Sequence, residues 1–248
     1  MRYPLSIIAP SECGSTSAVL AAMTDAPAGT VVVTDCQTAG RGQQGNTWEA
    51  EPGKNLTFSI LLRPVAFHAA RQFELSMLVA LAVADVVDRR FMHVGIAERT
   101  TVKWPNDIYV GDKKICGTLI ENKLSGKNIE RSIAGIGLDV NQLVFTSDAP
   151  NPASMIHYLG RETPLRPLLE EVCGEIMSAC DAYMLSPEPE ALLARFKSRL
   201  YRGDGRLYLF REPGGEPFEA SITDIALTGH LTLSNRRTYA FKEVAYIM

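Results

Sequence analysis

The chain has 248 residues, of which 46% are hydrophobic and 21% are charged, a composition ordinary for one large globular domain with or without a small appendage. Its net charge of −3 at pH 7 excludes the basic surface on which nucleic-acid binding depends, so we expect no DNA partner. No apolar run reaches the ~20 residues of a membrane helix, and the first residues lack a signal-peptide core, which predicts a cytoplasmic protein without membrane contact.

The first part of the chain predicts a sheet and one long helix. β-branched or alternating runs indicate strands, and an Ala- and Leu-rich run with charges at its ends indicates a mostly buried helix at 71–91. The predicted strands are 30–35, 55–62, 100–104, 107–110, 113–122 and 129–141.

The second part predicts two amphipathic helices and then short strands. Pro150 and Pro152 mark a loop, and helices are expected at 165–185 and 189–201. After residue 203 the runs RLYLF, FEASITDI, HLTLS and TYAFKEV alternate between turns, which is typical of a small SH3-like barrel. The predicted fold class is α+β, with a mixed, mainly antiparallel sheet flanked by helices at 1–200 and a C-terminal SH3-like β-barrel domain at 201–248.

Residues 101–122, TVKWPNDIYVGDKKICGTLIEN, carry the clearest functional pattern. Pro105 biases Trp104 toward an extended conformation and predicts a turn before the strand IYV. YVGDKKI then predicts a tight hairpin around Gly111. A carboxylate at one end and a lysine ammonium on the returning strand would face one cleft, which suits a Mg²⁺-bound nucleotide and an anionic co-substrate.

The run GRGQQG at 40–45 matches the G-x-G-x-x-G dinucleotide pattern. That pattern requires a helix to open at the third glycine, whereas NTWEAEPGKN and a predicted strand follow here, so the dinucleotide interpretation fails. The glycines either serve turns or let backbone N–H groups approach a phosphate beside the planar cation of Arg41.

Several of these segments occur together in one known family. KWPND (103–107) resembles the motif of the biotin protein ligases. Further motifs agree in the same order: GSTS (14–17), QTAGRGQQGNTW (37–48), the K-x-x-G of Lys114 and Gly117, and AGIGLDVNQ (134–142). The resemblance covers roughly residues 13–142 and implies the class II synthetase-like catalytic fold of that family.

The resemblance implies that biotin and ATP form biotinyl-adenylate and that a lysine of a biotin carboxyl carrier protein then accepts the biotin. It implies catalytic roles for Lys114, Arg41 and Asp107, of which Asp107 also holds Mg²⁺. The implied biotin-binding residues are Ser15, Thr16, Ser17, Gln37, Gly40, Arg41, Gly42, Gln43, Lys114 and Gly117. The implied ATP- or adenylate-binding residues are Arg41, Gln43, Gln44, Trp48, Lys103, Asn106, Lys114, Asp139 and Asn141.

These residues also have purely structural interpretations. The hydroxyls at 15–17 could cap the helix that begins SAVLAAM, and the pair at 106–107 could stabilise a proline-initiated turn. Lys103 and Lys114 could be solvated strand charges. Trp48 could be an ordinary core or rim aromatic.

The sequence departs from the resembling family at two places. Gln43 and Gln44 replace an Arg-Arg pair, which predicts a leakier adenylate. Asp139 replaces an asparagine whose amide both donates to and accepts from adenine, and an ionised carboxylate only accepts. Asn141 would face the same side of a strand and could take that role.

Other functions remain open at this point. A lipoate or octanoate ligase or transferase is similar in fold but needs a long apolar channel, and a decayed site would leave a non-catalytic biotin sensor.

Few residues precede the GSTS segment, which predicts no winged helix-turn-helix module. Sheet-edge contacts in the family suggest a homodimer. The five cysteines contain no C-x-x-C pair, which predicts free thiols.

Overall fold

The computed structural model of the chain describes residues 5–40, 48–147 and 150–248. The strands up to residue 138 are β1 (Ser6–Ile8), β2 (Glu12–Cys13), β3 (Thr30–Thr34), β4 (Cys36–Gln37), β5 (Leu56–Leu62), β6 (Thr100–Lys103), β7 (Asp107–Val110), β8 (Lys113–Ser125) and β9 (Asn128–Leu138). The α-helices are α1 (Thr16–Ala22), α2 (Gln72–His93), α3 (Met155–Leu159), α4 (Leu165–Leu185) and α5 (Pro189–Ser198). The later strands are β10 (Tyr208–Arg211), β11 (Pro217–Ala220), β12 (Ile222–Ile225), β13 (Leu231–Leu233), β14 (Thr238–Tyr239) and β15 (Ala245–Tyr246).

Seven strands form one sheet in the order β1-β3-β5-β9-β8-β7-β6. β1 is parallel to β3, and the other pairings in this sheet are antiparallel. β6 to β9 follow one another through short turns, which only antiparallel neighbours allow. At the β7–β8 turn Gly111 has a φ of +55°, a left-handed conformation that glycine adopts without strain. The predicted mixed, mainly antiparallel sheet and its hairpin are confirmed.

The two faces of the sheet are covered differently. On one face α2, α4 and α5 pack together over the main hydrophobic core, which Phe58 and Ile60 of β5 join. On the other face α1 lies over β3, β5 and β9, and its Leu20 packs with Leu61 and Ile133. Because side chains alternate along a strand, the odd-numbered residues of β5 and β9 face α1.

The long helices agree with the sequence except at one end. α2 is buried along most of its length, as predicted for 71–91, and α4 coincides with 165–185. α5 ends at Ser198 rather than at 201. The chain pairs with the edge strand β6 there, since Val102 N donates to Arg199 O at 2.7 Å and Tyr201 N donates to Val102 O at 2.9 Å.

The predicted strand at 129–141 is wrong in its last three residues, because β9 ends at Leu138. After it, Asp139 N donates to Ile115 O at 2.9 Å, and Val140 N donates to the Asn55 side chain at 2.9 Å. The short elements β1, β2, β4 and α3 were not predicted. Runs of two to five residues are too short for a hydrophobic period to show.

The C-terminal residues form two three-stranded sheets, β11-β10-β15 and β12-β13-β14. The predicted C-terminal β region is confirmed, but FEASITDI forms two strands of different sheets that are divided at Ser221. TYAFKEV contributes only the two residues of β14, and β15 begins directly after this run, at Ala245. Trp104 Nε1 donates to Gly229 O at 2.8 Å, so the turn after β6 holds this region. The division into domains at 1–200 and 201–248 stays a prediction.

The five cysteines are free thiols, as predicted. Within the described ranges, no helix has both the length and the apolar character needed to cross a membrane.

Candidate active site

A cavity of about 1010 Å³ opens on the α1 face of the sheet. It is bounded by the start of α1, by β8 and β9, and by Phe145, Ser147, Pro150 and Pro152. Ten of the residues predicted from the sequence line this cavity: Ser15, Thr16, Ser17, Gln37, Trp48, Lys103, Asp107, Lys114, Gly117 and Asp139. The structure therefore brings these residues to one place, while their individual roles stay predictions.

The uncharged end of the cavity is lined by Ser15, Thr16, Ser17 and Gln37, and the fully buried Ser59 lies behind them. Thr16 donates through its backbone N and its Oγ1 to Gln37 Oε1, at 2.8 and 3.1 Å. Ser59 Oγ lies 2.8 Å from Thr16 Oγ1 and 2.9 Å from Ser17 Oγ. Hydroxyl and amide groups both donate and accept, so this end suits a neutral polar ring.

The helix-capping interpretation of these hydroxyls is wrong. Ser15 occupies the N-cap position of α1, but its hydroxyl makes no capping hydrogen bond within the described part of the chain. The Gln37 amide oxygen accepts the Thr16 N–H instead. Gln37, 21 residues away in sequence, thus takes the capping role at this helix terminus.

The charged end of the cavity consists of Glu49, Lys103, Asp107, Lys114 and Asp139. Lys114 Nζ lies 2.7 Å from Asp107 Oδ2, and both side chains are about three-quarters buried, with exposures of 28% and 26%. The β7–β8 hairpin creates this pair, since Lys114 returns opposite Tyr109 after the turn. The predicted meeting of a carboxylate and an ammonium across the hairpin is confirmed.

Trp48 lies on a floor made by two glycines of the β8–β9 pair. Gly117 and Gly137 are directly opposite each other. A Cβ on Gly137 would lie 2.3 Å from the indole, so only glycine leaves room for the ring there, and a Cβ on Gly117 would make a tight contact with it at 3.0 Å. Lys114 Nζ is 5.6 Å from the ring centre, a cation–π distance. Trp48 is therefore part of the site and not a separate core aromatic.

Asp139 has an environment that favours its neutral form. The residue is 3% exposed, and Oδ1 is buried without a hydrogen-bond partner among the described residues. Burial raises the pKa of this carboxyl well above its usual range, Lys114 lowers it and Glu49 raises it again. Burial therefore favours the protonated form of Asp139, which both donates and accepts hydrogen bonds, whereas the ionised form only accepts.

Lys103 connects the cavity to the C-terminal sheets. Its ammonium lies 5.3 Å from the ring centre of Tyr109 and 5.1 Å from that of Tyr246 in β15. Burial lowers the pKa of Lys103, while Asp107 raises it and Lys114 lowers it further. Neither Lys103 nor Lys114 is thus a solvated strand charge. Two partly desolvated cations in one cavity attract phosphate and carboxylate groups.

Three predicted residues of the described ranges, Gly40, Asn106 and Asn141, are not part of the cavity lining. Asn106 Nδ2 donates to Thr118 O at 2.6 Å, and Thr118 Oγ1 donates to Asn106 O at 3.1 Å. Asn141 Nδ2 donates to Thr163 O at 2.9 Å, and Asn141 Oδ1 accepts from Thr163 N at 2.8 Å. The expectation that Asn141 faces the same side of a strand as Asp139 is wrong, because β9 ends at Leu138 and the Asn141 amide pairs with Thr163. A contact of Asn141 with the adenylate stays a prediction.

The glycine-rich loop is described only at its start. Gly40 packs beside Gln37, where a Cβ on Gly40 would lie 2.9 Å from Gln37 Nε2. Arg41, Gly42, Gln43 and Gln44 lie outside the described residues. Their expected roles, and the leakier adenylate expected from the two glutamines, stay predictions.

Sequence reasoning missed Ser59 and Glu49. Ser59 had a weak signal, since Thr57 and Ser59 are polar residues at alternate positions of an otherwise apolar strand. Glu49 had none, because its partners Thr146 and Ser147 are almost one hundred residues away in sequence, at separations of 97 and 98.

Among the described residues, no group of three or more His, Cys, Asp or Glu side chains could hold a metal ion. Mg²⁺ commonly takes one or two protein carboxylates and completes its shell with phosphate oxygens and water. Asp107 alone therefore fits an ion that arrives with a nucleotide. Mg²⁺ at this residue stays a prediction.

Residues 15–139, just over half of the 248-residue chain, match the model of the biotin/lipoate A/B protein ligase family. The chain belongs to this family. The matched range contains both the uncharged end and the charged end of the cavity, so the family relationship applies to the site itself.

Curated relatives in the family include bacterial biotin ligases. The chain is 38% identical over 118 residues to the bifunctional ligase/repressor BirA of Bacillus subtilis, and the alignment covers 48% of the chain and 34% of the relative. It is 29% identical over 229 residues to the biotin–[acetyl-CoA-carboxylase] ligase of Mycobacterium tuberculosis, covering 90% of the chain and 81% of the relative. The chain thus spans 34–41% of the length of the first relatives it matches.

Solved structures share the fold over nearly the whole chain. The biotin protein ligase from Aquifex aeolicus in complex with biotin and ATP aligns with a TM-score of 0.79 at 22% identity, covering 97% of each chain. The biotin protein ligase from Leishmania major in complex with biotinyl-5-AMP aligns with a TM-score of 0.69 at 23% identity, covering 95% and 98%. The chain therefore has the biotin protein ligase fold, and the predicted fold class is confirmed.

Proposed function

We propose that the chain is an ATP-dependent biotin protein ligase, which forms biotinyl-5′-AMP and transfers biotin to a lysine of a biotin carboxyl carrier protein. The observation that carries this proposal is the single cavity in which an uncharged hydroxyl–amide set and the Lys114–Asp107 pair lie together. The Mycobacterium tuberculosis relative bears the name of a biotin ligase. The Aquifex and Leishmania structures of the same fold hold biotin with ATP and biotinyl-5-AMP.

In the first step the biotin carboxylate attacks the α-phosphorus of ATP, and pyrophosphate leaves with the electron pair of the broken P–O bond. Two anions must approach each other, and the Lys114 ammonium supplies positive charge where negative charge accumulates. Asp107, 2.7 Å from Lys114 Nζ, fixes that ammonium, and Lys103 adds a second cation. Mg²⁺, which Asp107 and the phosphates would hold, supplies further charge neutralisation.

The uncharged end would hold the ureido ring of biotin. Its hydroxyls and the Gln37 amide offer donors and acceptors without charge, and their mutual hydrogen bonds fix their positions before the ligand arrives. This arrangement places the carboxylate of biotin at the charged end, so binding energy is used for orientation.

In the second step an unprotonated carrier lysine attacks the acyl carbon of the adenylate, and the bond from that carbon to the phosphate oxygen breaks to release AMP. We propose direct transfer to the acceptor. Cys116, which lies within the K-x-x-G segment, is buried, and burial raises the pKa of its thiol well above the usual range. Such a thiol is not an activated nucleophile.

The proposed partners follow from this chemistry. The acceptor is a biotin carboxyl carrier protein, the reaction needs neither DNA nor a membrane, and the cytoplasm is the proposed location. β1 is an outer strand of the sheet with Ser6 and Ile8 exposed. An outer strand can pair with another chain, so we propose this edge for the carrier or for a homodimer.

The test is ATP-dependent transfer of biotin to a carrier domain, followed by mass spectrometry of the acceptor lysine. Biotin-dependent exchange of labelled pyrophosphate into ATP isolates the first step. Parallel reactions contain lipoate or octanoate in place of biotin. Pyrophosphate exchange that depends on lipoate and not on biotin would show that the chain is a lipoate ligase and would contradict this proposal. Biotin binding without exchange or transfer would indicate a sensor.

A further inference from the structure

Glu49 follows Trp48 directly and binds a segment on another side of the cavity. Its Oε1 accepts from Thr146 N at 2.8 Å, from Thr146 Oγ1 at 3.1 Å and from Gln142 Nε2 at 3.3 Å. Its Oε2 accepts from Ser147 N at 2.9 Å. Both carboxylate oxygens are therefore engaged by residues 142–147.

The charge of Glu49 strengthens these contacts. Partial burial raises the pKa of Glu49, but the hydrogen bonds from Ser147 and Thr146 outweigh it and lower the pKa to about 2. The side chain is thus ionised at neutral pH, and hydrogen bonds to an ionised acceptor are shorter and stronger than neutral ones.

The segment that Glu49 holds has no regular secondary structure of its own. Gln142 anchors its start, since it is 2% exposed and its Oε1 accepts from Glu51 N at 2.9 Å and from Asn55 Nδ2 at 2.6 Å. Further along, the contacts of Glu49 with Thr146 and Ser147 fix the backbone. Residues 49–55 therefore position residues 142–147.

Both sides joined by Glu49 line the cavity. Trp48 lies on the glycine floor, 5.6 Å from Lys114, and Phe145 and Ser147 line the cavity from the held segment. Glu49 itself is unsuited to bind phosphate, because its charge repels an anion and its oxygens already accept hydrogen bonds.

We infer that Glu49 is a positioning residue for the nucleotide, because it joins the Trp48 side of the cavity to the 145–147 side and so fixes the shape of the charged end. This inference rests on the proposed function for the identity of the ligand. The joining itself is a property of the unliganded protein and can be measured without a ligand.

The decisive variant is Glu49→Gln, which keeps the size of the side chain. The carboxylate faces donors on both oxygens, so a glutamine must turn its NH₂ group toward one of them. We expect the dissociation constant of a non-hydrolysable ATP analogue, measured calorimetrically with biotin present, to rise about tenfold. The KM for ATP should rise by more than kcat falls.

A second readout needs no ligand. The protein has two tryptophans, and Trp104 is 4% exposed, so collisional quenching by acrylamide reports mainly on Trp48. Glu49→Gln should increase this quenching. Glu51→Gln is the matched control, because Glu51 is exposed and contacts Gln142 through its backbone N–H; it should leave quenching and analogue binding unchanged.

Thr146→Val removes one donor and leaves the charge of Glu49, so it should shift both readouts in the same direction by a smaller factor, about threefold or less. This variant decides the question if Glu49→Gln does not fold. A lower melting temperature with unchanged analogue affinity and unchanged quenching would overturn the inference and leave Glu49 a merely structural residue. A wild-type chain that binds no ATP analogue would overturn the proposed function, and the nucleotide role of Glu49 with it, whatever the quenching shows.

Discussion

The two ends of the cavity are built in different ways. At the uncharged end the polar groups satisfy one another, as Thr16, Gln37 and Ser59 show. At the charged end some buried polar atoms have no partner within the described residues, namely Trp48 Nε1 and Asp139 Oδ1. Buried polar groups are normally paired, so the charged end is less fully satisfied by its own neighbours than the uncharged end is.

This difference predicts different consequences of substitution. Groups that hold one another in place fix a binding surface, so changes at the uncharged end should act mainly on affinity. Groups that face an incoming anion act where charge develops during the reaction, so changes at the charged end should act mainly on rate. The following predictions test whether the two ends separate in this way.

The largest expected effect is that of Lys114→Ala. Without its ammonium, the carboxylate of biotin and the α-phosphate meet without compensating charge, and Asp107 adds an unpaired negative charge. We expect the rate of biotin-dependent pyrophosphate exchange to fall about 10²–10³-fold, with a smaller change in biotin affinity.

Lys113→Ala is the matched control for Lys114. Lys113 is the first residue of β8 and is exposed, whereas Lys114 is turned into the cavity. Both variants remove one positive charge, so a general electrostatic effect would slow them equally. Equal rates for the two variants would contradict the assignment of Lys114.

Gln37→Leu is expected to have the next largest effect. It removes the acceptor of the Thr16 N–H and hydroxyl, and leaving such groups unpaired costs about 1–3 kcal/mol. We expect the dissociation constant of biotin to rise roughly tenfold, while kcat at saturating biotin changes less. Calorimetric titration measures the first quantity and steady-state transfer the second.

Thr38→Val provides the comparison for Gln37. Thr38 is the next residue and is exposed, and it contacts the rest of the chain through its backbone N–H to Cys13 O at 3.0 Å. Its substitution should leave biotin binding unchanged. If Gln37→Leu lowers kcat as strongly as Lys114→Ala, the proposed separation between the two ends is wrong.

Local chemistry explains what the sequence could predict. Gly111 and the residues around it determine the β7–β8 hairpin, and the hairpin alone brings Lys114 to Asp107. Ser59 meets Thr16 only because β5 and α1 pack together, at a sequence separation of 43. No periodicity or motif encodes that contact, and the same holds for Glu49 and Thr146.

The C-terminal region and Asp139 also depend on tertiary contacts that could not be predicted from the sequence. FEASITDI alternates like one strand, yet its halves belong to different sheets, because tertiary pairing decides where a short strand is interrupted. The residue type of Asp139 suggests an anion, whereas its burial raises the pKa of the carboxyl. The charge state of a carboxyl depends on the residues packed around it, and the sequence alone does not show which residues those are.

The smallest expected effect concerns the stability of Asp139→Asn. Burial raises the pKa of Asp139 in the folded protein above its value of about 3.9 in an unfolded chain. Between these two pKa values the folded state binds more protons than the unfolded state, so the free energy of unfolding falls as pH rises through this window. Asparagine has the same shape and does not titrate, so the variant lacks this loss.

We therefore expect Asp139→Asn to melt a few degrees above wild type at pH 8, since about 1 kcal/mol corresponds to ~2–4 °C in a chain of this size. The difference should shrink toward pH 4, where the wild-type carboxyl is protonated in the folded state. Asp35→Asn, at an exposed carboxylate, controls for the general loss of one negative charge. Parallel melting curves for wild type and Asp139→Asn across this range would mean that the folded protein holds Asp139 ionised, and the charged end would then contain no donor at this residue.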